Sequence, residues 1–227
     1  MSEEADPNWF PPLEQALLEP PGLLAAGGDL SPARLLAAYE RGVFPWYSEQ
    51  QPILWWSPDP RMVLFPEEFN CSRSLRKSLR NAGFTTRVDE AFGATIRACA
   101  EPRRSGPETW LNREMIASYE QLHRLGFGHS IETYRDEALV GGLYGLQLGQ
   151  VFFGESMFSR CPDASKTALA RLVEECRERD IKLIDCQVAS SHLASLGARE
   201  VSRGQFANLL RLYVKRTPCK SWKNLPA

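Results

Sequence analysis

Histidine is scarce in this chain, with three in 227 residues. The six cysteines (Cys71, Cys99, Cys161, Cys176, Cys186 and Cys219) include no C-x-x-C pair. With so few imidazoles, this spacing builds no zinc site. No apolar run approaches the roughly 20 residues needed to cross a bilayer. No basic start leads into an apolar signal segment. Charge of one sign is also missing: 27 Lys and Arg stand against 28 Asp and Glu, a net charge of -1. Any contact with nucleic acid must therefore come from a local patch rather than a global field. These absences lead to the expectation of a cytoplasmic protein with reduced thiols, no metal and no membrane span.

What is present is enough for a real core. Hydrophobic residues make up 43% and charged residues 24%, and the length suits one large domain or two small ones. Residues 10–30 are rich in Pro and Gly and read as loops with a short helix near Leu13–Leu18. Ser31-Pro32 starts a helix that Gly42 ends. A segment dense in aromatics and Pro follows, including Trp46, and its rings can serve as core or as a stacking platform. A strand near Met62–Phe65 opens a second unit, giving domains of 1–62 and 63–227. Cys71–Asn81 reads as a short helix carrying Arg73, Arg76, Lys77 and Arg80 on one broad face. That face is either solvated or a phosphate-contact patch. Ala91–Cys99 and Arg113–Leu125 read as helices, and three strands then form a meander ending in Val151–Phe158.

The stretch 151–188 organises the rest. It reads as strand, helix (Ala164–Arg179) and strand (Ile181–Val188), with Pro162 and Asp163 at the helix start. Period-two alternation places Asp185 and Gln187 on one face of the second strand, and Glu155 with Met157 on one face of the first. A carboxylate inside an apolar strand is expensive to bury. Two of them on neighbouring strands suggest a site, unless each faces water from a half-exposed sheet. A meander feeding a strand–helix–strand unit gives an α+β fold with a mixed, mostly antiparallel sheet. Its ligand groove is expected where the parallel strands end.

Several ungapped blocks, in order, carry a family resemblance: GGDLSPARLLAAYERGVFPW (Gly27–Trp46), PILWWSPDPR (Pro52–Arg61), GESMFSR (Gly154–Arg160), ASKTAL (Ala164–Leu169), LIDCQV (Leu183–Val188) and HLASLGA (His192–Ala198). They resemble the leucyl/phenylalanyl-tRNA–protein transferases over roughly residues 10–212. The resemblance implies a small N-terminal domain on a larger domain like the GCN5-related N-acetyltransferases. It also implies transfer of Leu, Phe or Met from aminoacyl-tRNA to proteins with N-terminal Arg or Lys, which marks them for N-end-rule degradation. One tract, Ala189-Ser190-Ser191, departs from the family pattern.

Such a reaction starts from an activated ester and needs no cofactor. The amine must be neutral, held against the carbonyl and supplied with donors for the oxyanion. Asp185 and Gln187 are expected to position the amine, with a ribose hydroxyl as proton carrier, and Glu155 to gather the acceptor's positive N-terminus. Met157, Leu143, Leu169, Leu172, Phe152 and Ile184 are candidates for the aminoacyl pocket by resemblance, or are plain core. Trp46 and Trp110 are candidates to stack on the terminal adenosine, with Tyr39 and Tyr119 assisting. The Arg73–Arg80 face would hold tRNA phosphates. A monomer is expected. Two rivals are an acetyl-CoA-dependent N-acetyltransferase and a non-catalytic tRNA-binding module. The first needs a Gly-rich turn for pyrophosphate, and Ser159–Lys166 holds no glycine.

Overall fold

A computed structural model describes residues 8–102, 111–218 and 220–222. The first strands, β1 (Leu23–Ala26), β2 (Phe44–Pro45) and β3 (Leu54–Trp56), form a small antiparallel sheet in the order β1-β3-β2. The Pro- and Gly-rich stretch read as loops thus contributes a strand, β1. Four residues are too few for periodicity to reveal it. The expected helix at Leu13–Leu18 is a single 3-10 turn over Leu13–Gln15. Helix α1 (Pro32–Glu40) begins as the sequence predicts, with the Ser31 side chain accepting from the Arg34 amide and Pro32 at the first turn.

The second sheet has seven strands in the order β10-β4-β9-β8-β7-β6-β5. They are β4 (Arg61–Leu64), β5 (Thr85–Val88), β6 (Gly128–Arg135), β7 (Ala138–Leu148), β8 (Val151–Ser159), β9 (Leu183–Gln187) and β10 (Arg199–Val201). Every pairing is antiparallel except β8 with β9. The mixed, mostly antiparallel α+β sheet is therefore as expected. A boundary at residue 62 would cut through β4. Helices α2 (Arg73–Asn81), α3 (Phe92–Cys99), α4 (Arg113–Arg124), α5 (Ala164–Arg179), α6 (Ser191–Ser195) and α7 (Arg203–Tyr213) complete the described chain.

The two sheet faces carry two cores. One gathers Leu35, Tyr39 and Trp55 from the N-terminal part with Tyr144, Phe153, Phe206 and Leu210. The other packs α5 (Ala168, Leu169, Leu172, Val173, Cys176) on Leu143, Phe152 and Ile184. These five apolar positions of α5 are all buried. Asp163 precedes α5 in the left-handed region, but its side chain does not cap the helix. Its carboxylate instead accepts from Ser78 Oγ at 2.7 Å and from Lys166 Nζ at 2.8 Å. The segment after Val214 closes the described chain. It returns Trp222 to the second core, where the ring stacks on His129 at 4.3 Å under the Arg179 guanidinium.

Candidate active site

The parallel pairing of β8 and β9 stops at Phe153 opposite Asp185. Beyond that pair the strands part, and both carry a bulge there. On β8, Gly154 faces Gly145 and Ser156 faces Tyr144, so Glu155 is the extra residue. On β9, Asp185 faces Val63 and Gln187 faces Met62, so Cys186 is extra. A bulge flips the alternation of side chains that follow it. This overturns the expectation that Glu155 and Met157 share a face. Glu155 turns toward Tyr119, whereas Met157 packs on the α5 side with Leu143 and Phe152.

Glu155 is the centre of the site. Tyr119 Oη donates to its Oε2 at 2.8 Å, and Gln187 Nε2 donates to its Oε1 at 3.2 Å. The Tyr119 and Tyr39 hydroxyls lie 2.6 Å apart. Burial drives the Glu155 carboxyl up to about 7. The Tyr39 and Tyr119 hydroxyls pull against that shift, the Asp185 charge adds to it and Arg61 opposes it. Burial also keeps both tyrosines well above their ordinary range, so they remain hydroxyl donors.

Asp185, expected with Gln187 to position the amine, is turned away from it toward Arg61. It is fully buried, and both its oxygens are taken by Arg61: Nε to Oδ1 at 2.8 Å and Nη2 to Oδ2 at 2.6 Å. Its Oδ1 also accepts the Gln187 amide at 3.0 Å. Gln187 sits at φ 57, a left-handed conformation that non-glycine residues adopt at a cost. Arg61 is the residue that sequence reasoning missed. The available signal was an arginine opening the otherwise apolar strand RMVL, inside a block already singled out.

The adenosine candidates separate. Trp46 is 46% exposed and leans on Trp56 at 5.7 Å between ring centres, with its carbonyl accepting from Trp56 Nε1. Tyr39 and Tyr119 are shut in, edge-on to Phe153 and Tyr144 respectively, so neither offers a face to a base. Burial leaves them their hydroxyls, which reach Glu155, so any assistance to an adenosine would not be by stacking. Trp110 lies outside the described residues. Among the pocket candidates, Leu143, Phe152, Leu169, Leu172 and Ile184 are at most 3% exposed, which makes them core in this structure, while Met157 is partly buried.

The four basic residues of α2 are exposed, and among the described residues none is in an ion pair. Leu75 anchors the opposite face, and the Ser72 hydroxyl caps the helix by accepting from the Leu75 amide. The departing tract finds a local use: Ser190 caps α6 by accepting from the Leu193 amide. Among the described residues, no three of His, Cys, Asp and Glu converge as a metal set.

Comparison with known proteins places relatives across most of the chain. The family described as leucyl/phenylalanyl-tRNA protein transferase matches residues 63–211, and its N-terminal domain matches residues 28–59. A leucyl/phenylalanyl-tRNA–protein transferase of Nitrosospira multiformis is 56% identical over 204 residues, covering 90% of this chain and 88% of the relative. One from Stutzerimonas stutzeri is 54% identical over 214 residues, covering 94% and 95%. Among solved structures, a GCN5-related N-acetyltransferase from Kribbella flavida overlaps with a TM-score of 0.41 at 14% identity, covering 75% of this chain and 61% of that one.

Proposed function

The chain belongs to the leucyl/phenylalanyl-tRNA–protein transferase family, and from that premise we propose how it works and on what. It transfers an amino acid from aminoacyl-tRNA to a protein. The observation that carries this is the 56% identity over 90% of the chain. Leu, Phe and Met are the proposed donors, and α-amino groups of N-terminal Arg or Lys the proposed acceptors. The enzyme is proposed to act as a cytoplasmic monomer in N-end-rule degradation. Among the described residues, no helix is long and apolar enough to cross a membrane.

The chemistry is an aminolysis. The acceptor nitrogen attacks the ester carbonyl, a C–N bond forms, and the bond from carbonyl carbon to ribose oxygen breaks. The proton lost by the amine must leave with a base, and the ribose oxygen must gain one. Glu155 suits the first task, because a carboxyl near 7 is part-ionised at neutral pH and can accept a proton, and the proton it takes from the amine is the one then returned to the ribose oxygen. Gln187 and Tyr119 hold its two oxygens. Asp185 acts behind Gln187 rather than on the substrate. Trp46 offers its exposed face to the terminal adenosine, and α2 offers its free cations to acceptor-stem phosphates. Met157, at the edge of the α5 core, is the adaptable wall for the transferred side chain.

The acetyltransferase rival meets an electrostatic obstacle. A pyrophosphate would need the N-terminus of α5, and the Asp163 carboxylate lies beside that end, held by Ser78 and Lys166. The test is single-turnover transfer of labelled leucine from Leu-tRNA to peptides that begin with Lys or Ala. Labelling of the Lys peptide is expected. Equal labelling of both would remove the acceptor specificity, and labelling of neither would remove the reading.

A further inference from the structure

Arg61 opens β4 and is fully buried. Besides the two bonds to Asp185, its Nη1 donates to the Gly42 carbonyl at 3.1 Å. The Phe44 and Phe206 rings stand 4.8 and 4.6 Å from its guanidinium carbon. A buried ion pair is poor evidence for stability, since desolvation of the two charges can exceed their attraction. Holding the fold is therefore a weak explanation for it, and the bonds that leave Asp185 suggest another. Asp185 Oδ1 takes the Gln187 amide at the point where the chain enters φ 57. That turn brings the Gln187 carboxamide back to Glu155.

We infer that Arg61 is a positioning residue for aminoacyl transfer. Its two-pronged fork orients Asp185, Asp185 holds the strained Gln187 turn, and Gln187 fixes one oxygen of Glu155, the proposed base. The inference rests on the transferase reading above. Arg61 touches no substrate and moves no proton. Lysine would match its charge but not its fork, because an ammonium cannot give two parallel bonds to one carboxylate in a fixed plane.

The test is the single-turnover rate constant with enzyme in excess, which reports competent molecules only. It is measured for the wild type, Arg61→Lys, Gln187→Ala and the double variant, using Leu-tRNA and a Lys-starting peptide. Thermal melts run alongside, and Ile96→Ala, in the core of α3, serves as a destabilised control. Arg61→Lys is expected to slow the saturated step by about 10- to 100-fold, the scale of a small misplacement, with half-saturation by donor almost unchanged. The double variant should be no slower than Gln187→Ala, because both changes break one chain. Ile96→Ala should melt earlier at an unchanged rate. If Arg61→Lys does not fold, Arg61→Gln takes its place in the cycle. A folded Arg61 variant at the wild-type rate overturns the inference, as do losses that multiply in the double variant. Failure of both Arg61 variants to fold makes the pair structural and overturns it too. A wild type that transfers nothing removes the transferase reading itself.

Discussion

At the scale of the residue, the candidate site is built around one carboxyl with a displaced proton affinity. Glu155 folds with a value of about 7 against an ordinary 4.5. Between those two values the folded state binds more protons than the unfolded state, so Glu155's contribution to stability falls as pH rises through that window. Glu155→Gln should therefore compare better with the wild type at pH 8 than at pH 5, with the difference in melting temperature growing more positive. A pH-independent difference would mean the carboxyl is not raised. In turnover, the same variant should lose about 10²–10⁴ in rate and lose the inflection near pH 7, leaving the one belonging to the acceptor amine near ~8. Trp46 separates its two roles more simply. A ring already 46% exposed gives up little packing, so Trp46→Ala should melt almost unchanged while KM for the aminoacyl donor rises. Trp46→Phe should recover part of the loss, since stacking is worth about 1–3 kcal/mol per base. A large drop in melting temperature with KM unchanged would return Trp46 to the core. Glu155, Asp185 and Gln187 could be picked from the sequence because polar groups stand out in apolar strands. Arg61 could not be paired with Asp185, because the partners lie 124 positions apart and no local pattern connects them.

At the scale of the element, long periodic pieces were legible and short or irregular ones were not. Helix α5 shows its buried face through apolar spacing, and β6 to β8 show as three long runs separated by turns, although β6 and β7 are buried on both faces. The bulges at Glu155 and Cys186 were invisible, because one extra residue leaves composition and approximate period intact. That single residue decides that Glu155 meets the tyrosines and Met157 meets the α5 core. Strands β1, β2 and β5 have two to four residues, and tertiary pairing rather than local propensity makes them strands. Helix α2 is where a charge run acquires meaning. Its cations are exposed and without ion pairs among the described residues, while Ser78 ties the helix to Asp163 ahead of α5. Arg76→Ala with Arg80→Ala should weaken tRNA binding and flatten its salt dependence by a slope change of roughly 1–2, as expected for two phosphate contacts. Turnover of an aminoacyl-adenosine should hardly change. An unchanged salt slope would remove α2 from the tRNA site.

At the scale of the molecule, the separate sheets do not imply separate folding. We propose that the boundary lies in residues 57–60, ahead of β4, and that the two parts nevertheless unfold together. Tyr39 on α1 packs edge-on to Phe153 at 5.1 Å and bonds to Tyr119. Gly42, at φ 79, lies so close to Phe206 that a Cβ there would stand 2.9 Å from its ring. Phe44 covers the Arg61 guanidinium, which bonds to the Gly42 carbonyl. Burying Tyr39 and Phe44 alone is worth roughly 3–6 kcal/mol at about 1.5–3 each. That is comparable with the whole stability of a typical domain, about 5–15 kcal/mol. Neither part keeps a closed core without the other, and neither completes the site: α1 supplies Tyr39, and the large sheet supplies Glu155, Gln187 and the Arg61–Asp185 pair. Calorimetry of the full chain should show one cooperative transition whose calorimetric and van't Hoff enthalpies agree. Tyr39→Ala should lower that single transition without splitting it, and should reduce transfer through loss of the hydroxyl next to Tyr119. Tyr39→Phe keeps the ring and should retain most of the melting temperature while still losing rate. Two resolved transitions in the wild type would show that the N-terminal sheet folds alone, and that its contact with the large domain is a docking surface rather than a shared core.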